Sequence, residues 1–73
     1  KFTLRQLQVF LATARLQRVS QAAIELAMSQ SAASGALQDL ESRYDTLLFD
    51  RVGKRLKLNA QGALLRPMAE ALL

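Results

Sequence analysis

The chain has 73 residues, 51% of them hydrophobic and 22% charged, a net charge of +4, and neither cysteine nor histidine. A length this short holds one domain whose single core barely outweighs chain entropy, and the missing cysteines exclude a disulfide framework and any thiolate metal site. Its apolar runs are a few residues long, against about 20 needed to cross a bilayer, and three glycines and one proline without a repeat exclude low-complexity chain.

The first helix is expected at Leu4–Leu16. Thr3 can cap it, Gln6 can return the bond, and Phe2 can pack on Leu7. Leu4, Leu7, Leu11 and Ala14, with Phe10 beside them, share one face at a 3.6-residue period, while Arg5, Gln8, Ala12 and Arg15 turn away. A short second helix is expected from a Ser20 cap to about Ala27, with Val19 and Ile24 as a hydrophobic staple and Ala22, Ala23 and Leu26 inward. Paired alanines permit a close helix crossing.

After a break at Ala27-Met28-Ser29, Ser29 caps a third helix whose Ala33, Leu37, Leu40 and Tyr44 form a core stripe. The period then changes. Leu56 and Leu58 alternate with Arg55 and Lys57, and Gly53 tolerates a left-handed turn, so residues 47–58 read as a two-stranded hairpin. Asn59 can cap a last helix, in which Leu64, Leu65, Met68, Ala69 and Leu72 make a broad apolar face. Pro67 removes one backbone bond there, and a kink or break is expected.

Charge is unevenly placed. Lys1 to Met28 carry +3, Ser29 to Leu47 carry −2, and Leu48 to Leu73 carry +3. Two basic flanks bracket a third helix whose first ten residues, Ser29 to Gln38, have no charge at all. A basic domain prefers polyanions. Two helices joined by a tight turn, followed by a basic hairpin, make the winged helix-turn-helix plan: a mainly α fold with a three-helix core, a two-stranded wing and a C-terminal helix. With the core stripe inward, Gln30, Ser31, Ser34, Gly35 and Gln38 lie opposite. Small side chains let a helix enter a major groove about 12 Å wide, and Gln and Ser can exchange hydrogen bonds with base edges. The helix start adds free N–H groups and a partial positive charge for phosphate. Gly35 costs about 1 kcal/mol relative to alanine, a penalty that either suits a close approach of a DNA backbone or sugar or reflects neutral drift.

The runs AAIELAMSQSAASGALQDLE and LLFDRVGKRLKLNAQG resemble the N-terminal DNA-binding domain of LysR-type bacterial transcriptional regulators. The likeness covers essentially the whole chain. It implies a winged helix-turn-helix over residues 1–58, with the third helix in the major groove of double-stranded DNA and the wing on flanking backbone or minor groove. Residues 59–73 would begin a linker helix that pairs two protomers on an inverted-repeat operator. A small-molecule effector would bind only through a C-terminal domain that this chain lacks. By the family's pattern Ser20 and Gln21 open the second helix against phosphate, Gln30, Ser31 and Ser34 contact DNA, and Arg51, Lys54 and Arg55 belong to the wing; Ser29, Gly35 and Gln38, on the same stretch of the third helix, complete the expected DNA-binding set. The dimerisation residues are Leu64, Leu65, Met68 and Leu72. Gly35 stands where a long basic or polar side chain is common, Ser31 where proline is frequent, Asp45 where glycine ends the third helix, and Gln17-Arg18 where Gly-Ser is usual.

Blander readings exist for the same residues. Gln30, Ser31 and Ser34 could form a solvated face, the four cations between Arg51 and Lys57 could guard a strand edge, and Asp50 could pair with Arg51. Leu64, Leu65, Met68 and Leu72 could cover the domain's own core, although so broad an apolar face on the last helix more often meets a second chain. Catalysis is a weak rival, because histidine, cysteine and a Gly-rich phosphate loop are missing and Asp39, Glu41, Asp45 and Asp50 have no partner at metal or acid-base spacing; no metal or cofactor is expected. The rival from another class is a helical interaction module that receives a partner helix on the small-residue face. Membrane attachment lacks a cationic face with bulky anchors. No charged n-region precedes an apolar segment, so the expected location is the cytoplasm.

Overall fold

Side-chain caps start three of the four helices at the positions the sequence marks for them. The computed structural model describes residues 2–73; Lys1, the first residue of the expected domain, lies outside that range. The elements are α1 (Leu4–Leu16), α2 (Val19–Glu25), α3 (Gln30–Arg43), β1 (Phe49–Val52), β2 (Arg55–Leu58) and α4 (Ala60–Leu72). At α1 the Gln6 N–H donates to Thr3 Oγ1 at 3.1 Å and the Thr3 N–H donates to Gln6 Oε1 at 3.0 Å, a complete capping box. Ser29 Oγ accepts from Ala32 N–H at 3.1 Å and Asn59 Oδ1 from Gly62 N–H at 2.9 Å. Each cap satisfies a helix-end donor that would otherwise be unpaired, worth about 1 kcal/mol.

Phe10 is fully buried, and its ring lies 5.6 Å from that of Phe49, so the first helix and the first strand meet in the core. Ala22, Ala23 and Ala33 are buried where α1, α2 and α3 pack together, and their small volume is what allows three helices to close around so few large side chains. The strands are antiparallel, with Phe49 opposite Leu58, Asp50 opposite Lys57, Arg51 opposite Leu56 and Val52 opposite Arg55. Gly53 opens the turn between them at φ +64, and a positive φ at the first of two turn residues is the type II′ geometry that matches strand twist. Gly62 fixes how α4 leaves the wing: a Cβ there would overlap the Leu48 carbonyl oxygen and stand 2.7 Å from Leu58 Cδ2.

Several expectations are corrected. Arg18, not Ser20, is the N-cap of α2, without a side-chain bond, and the helix ends at Glu25 with Leu26 as its C-cap. Ile24 is 79% exposed, so it forms no staple with Val19. Leu4 is exposed and Ala12 buried, the reverse of expectation, while Val9 and Thr13 join the buried face. The inward face of α1 is thus rotated toward α2 and α3, which flank it. Tyr44 is the C-cap of α3 and half exposed, with its ring 6.3 Å from that of Phe2. Of the kink or break expected at Pro67, the break does not occur: α4 runs through it to Leu72. Both Pro67 and Ala63, whose carbonyl loses its helical partner, are exposed, so water can take the freed acceptor.

Candidate nucleic-acid interface

Burial of Ala33, Leu37 and Leu40 orients α3. Gln30, Ser31 and Gln38 are then exposed, and Ser34 and Gly35 partly so. Ser42 completes the outward row Ser31, Gly35, Gln38, Ser42 at spacings of four, three and four, and it is exposed; extending the helical period one more step would have found it. Ser29 is a cap first, its hydroxyl accepting from Ala32 N–H and lying 3.3 Å from Ser31 Oγ. A Cβ on Gly35 would meet nothing within 4 Å. The chain's own packing therefore does not require glycine there.

Beside this row, a cleft of about 200 Å³ is lined by Gln17 and Arg18 from the turn between α1 and α2, Val19 and Ser20 from the start of α2, Gln30 and Ser34 from α3, and Arg51, Lys54 and Leu56 from the wing. Five of the sequence-predicted residues thus converge: Ser20, Gln30, Ser34, Arg51 and Lys54. Arg18 is a cation that sequence reasoning did not place in the site; its position just ahead of the second helix was the available signal. The wing cations are divided by strand alternation. Arg51 shares a face with Leu56, whereas Arg55 shares the other with Val52. Arg55 Nη1 donates to Gln17 Oε1 at 3.4 Å and does not line the cleft. Lys57 stands opposite Asp50, so Asp50 faces away from Arg51. Gln21 is exposed on α2, outside the cleft.

The wing is held in place by contacts from the helices. Leu56 N–H donates to the Gln17 carbonyl at 2.9 Å. Glu41 on α3 accepts from Leu48 N–H at 2.9 Å through Oε2, and Asn59 Nδ2 donates to the Leu47 carbonyl at 2.8 Å. Glu41 is thereby a positioning residue rather than a surface acid. Arg15 and Glu25 form an ion pair that ties α1 to α2. Three residues with side chains adopt positive φ, Gln17 (66°), Ala27 (56°) and Asp45 (52°), each at the end of a helix.

On α4, Leu64, Met68 and Leu72 are 67%, 62% and 57% exposed, a stripe at spacings of four. Leu65, grouped with them from the sequence, is partly buried against the core instead. Leu64 and Met68 border an apolar groove of about 510 Å³ that Tyr44, Thr46 and Leu48 also line. Among the described residues no group of His, Cys, Asp and Glu could hold a metal, and no helix is long and apolar enough to cross a membrane.

Comparison with known proteins gives a consistent result. Residues 4–63 match the model of the bacterial regulatory helix-turn-helix protein, LysR family. The chain is 55% identical over 71 residues to the uncharacterized HTH-type transcriptional regulator YeiE of Escherichia coli K12, covering 97% of this chain and 24% of that protein. It is 43% identical over 60 residues to the RuBisCO operon transcriptional regulator of Allochromatium vinosum, covering 82% of this chain and 20% of the relative. Among solved structures, the CbnR DNA-binding domain in complex with DNA superposes with a TM-score of 0.91 at 28% identity over 97% of this chain and 82% of that one. Oxidized OxyR of Corynebacterium glutamicum does so with a TM-score of 0.93 at 30% identity, over 99% of this chain and 23% of that one. The chain therefore spans about a quarter of the full-length relatives it resembles, and it belongs to the LysR family of bacterial regulatory helix-turn-helix proteins.

Proposed function

We propose that the chain is a sequence-specific double-stranded DNA-binding domain of a transcriptional regulator, with α3 in the major groove and the wing on flanking backbone or minor groove. The observation that carries this reading is the uncharged outward row of α3 lying beside a cleft lined by Arg18, Arg51 and Lys54. Base edges call for close approach and paired donors and acceptors, which Gln30, Ser31, Ser34, Gly35 and Gln38 supply. Backbone phosphates call for cations, which the cleft and the wing supply. A solved relative of the same fold, the CbnR DNA-binding domain, is in complex with DNA, which supports the reading.

Residues 1–58 are the DNA-binding unit in this reading, and 59–73 start the linker helix. The exposed stripe Leu64, Met68 and Leu72, with Leu65 at its inner border, pairs two protomers, and a two-fold dimer reads an inverted repeat. An effector enters only through a further domain of the full-length regulator, and the location follows that of the DNA, the cytoplasm. Selection of bound sequences from random duplexes tests the proposal. An enriched inverted repeat is expected. Recovery of no duplex, with capture of helical peptides instead, would return α3 to the role of a protein-interaction face.

A further inference from the structure

The cation cleft has a property that the reading face lacks. Two of its three walls are fastened to each other: the turn carrying Gln17 and Arg18, and the wing carrying Lys54, are joined by Leu56 N–H to the Gln17 carbonyl at 2.9 Å and by Arg55 Nη1 to Gln17 Oε1 at 3.4 Å, while α3 supplies the third with Gln30 and Ser34. Arg18 and Lys54 line the cleft from these two sides, and Arg51 adds a third positive charge. Among the described residues no carboxylate lines it, and none of the three cations belongs to an ion pair. The nearby acids are committed elsewhere. Glu41 accepts from Leu48 N–H, and Asp50 stands on the opposite face of the hairpin, across from Lys57. Hydroxyls of Ser20 and Ser34 and the amide of Gln30 are the polar groups that remain.

We infer that Arg18 and Lys54 close on one and the same backbone phosphate of duplex DNA, so that the turn ahead of α2 and the wing form a single clamp. This rests on the DNA-binding reading above. Three like charges around about 200 Å³ repel one another, and a phosphate is the anion that relieves this while fitting both forked and point-charge donors. The fixed link between the walls means that little ordering is needed on binding. The clamp also gives a physical counterpart to the neutral α3: positive charge absent from the reading helix, where Gly35 stands, is present beside it, and close approach and phosphate affinity are assigned to different elements.

The test is a double-mutant cycle on the full 73-residue chain, read by fluorescence anisotropy with a random-sequence duplex across a salt series. Arg18→Ser and Lys54→Ala are each expected to weaken binding several-fold on every sequence. Because one phosphate is shared, the double variant is expected to lose only about 0.9 from the slope of log K against log salt, the value for one phosphate. Additive losses with a slope change of about 1.8, the value for two phosphates, overturn the shared clamp. An Arg18→Ser chain that binds as wild type does also overturns it. A wild-type chain that ignores all duplexes removes the DNA-binding reading and the clamp together, an outcome distinct from the other two. Circular dichroism of each variant separates loss of contact from loss of fold.

Discussion

The backbone N–H of Leu56 donates to the carbonyl oxygen of Gln17 at 2.9 Å, which fastens the second strand of the wing to the turn between α1 and α2. Gln17 accepts this bond at φ 66, a left-handed conformation that few residues with a Cβ adopt. Helix α1 ends there, with the Gln17 N–H donating to the Thr13 carbonyl at 2.7 Å.

That conformation costs a residue with a side chain about 1 to 2 kcal/mol, whereas the extra freedom of glycine in the unfolded chain costs about 0.5 to 1 kcal/mol. The first effect wins. Gln17→Gly is expected to keep the backbone bond to Leu56 and raise stability by about 0.5 to 1 kcal/mol, read as a higher urea midpoint. A lower midpoint would mean that the side-chain bond to Arg55 contributes more than the backbone strain costs.

Two glycines should respond in opposite directions to the same substitution. Gly62→Ala drives a methyl into the Leu48 carbonyl, and overpacking of this kind costs about 1 to 3 kcal/mol. Gly35→Ala meets open space and should stabilise α3 by about 1 kcal/mol. Thermal melts of the two variants check both signs, and a stabilised Gly62→Ala chain would contradict the packing of α4 on the wing.

Thr13 is fully buried, and its Oγ1 has no hydrogen-bond partner among the described residues. An unpaired buried hydroxyl costs about 1 to 3 kcal/mol. Val has the same shape and the same branching at Cβ. Thr13→Val is therefore expected to raise stability by about 1 kcal/mol, with DNA affinity unchanged. Denaturant titration decides, and a loss of stability would show that the hydroxyl is paired.

The exposed stripe on α4 can be tested without touching the core. Met68→Glu keeps helix propensity at a position 62% exposed, so monomer stability should change by less than about 0.5 kcal/mol. Sedimentation equilibrium is expected to show self-association weakened at least about tenfold, because a charge would be buried in an apolar contact. Unchanged association would remove Met68 from the interface.

Local signals proved the most readable part of this fold. The caps at Thr3, Ser29 and Asn59 are each complete within a few residues of sequence, and alternation around Gly53 marks the hairpin. The start of α2 is not legible locally because it answers to something remote: Gln17 is held by Leu56, far along the chain, and the serine that looks like a cap lies inside the helix. Periodicity likewise gave the inward face of α3 through Leu40, but not how far its cover extends, so Tyr44 reaches solvent. Within the site, residue types and spacing indicated Gln30, Ser34, Arg51 and Lys54. The separation of Arg51 from Arg55 follows from strand register, and the entry of Arg18 follows from tertiary closure of the cleft.

The central claim is that the outward face of α3 reads base edges while cations beside it hold the backbone. The most direct measurement is the affinity of Gln30→Ala for the selected operator and for random duplex at one salt concentration. A loss of about 1 to 3 kcal/mol is expected on the operator and almost none on random DNA. Equal losses on the two duplexes would contradict it.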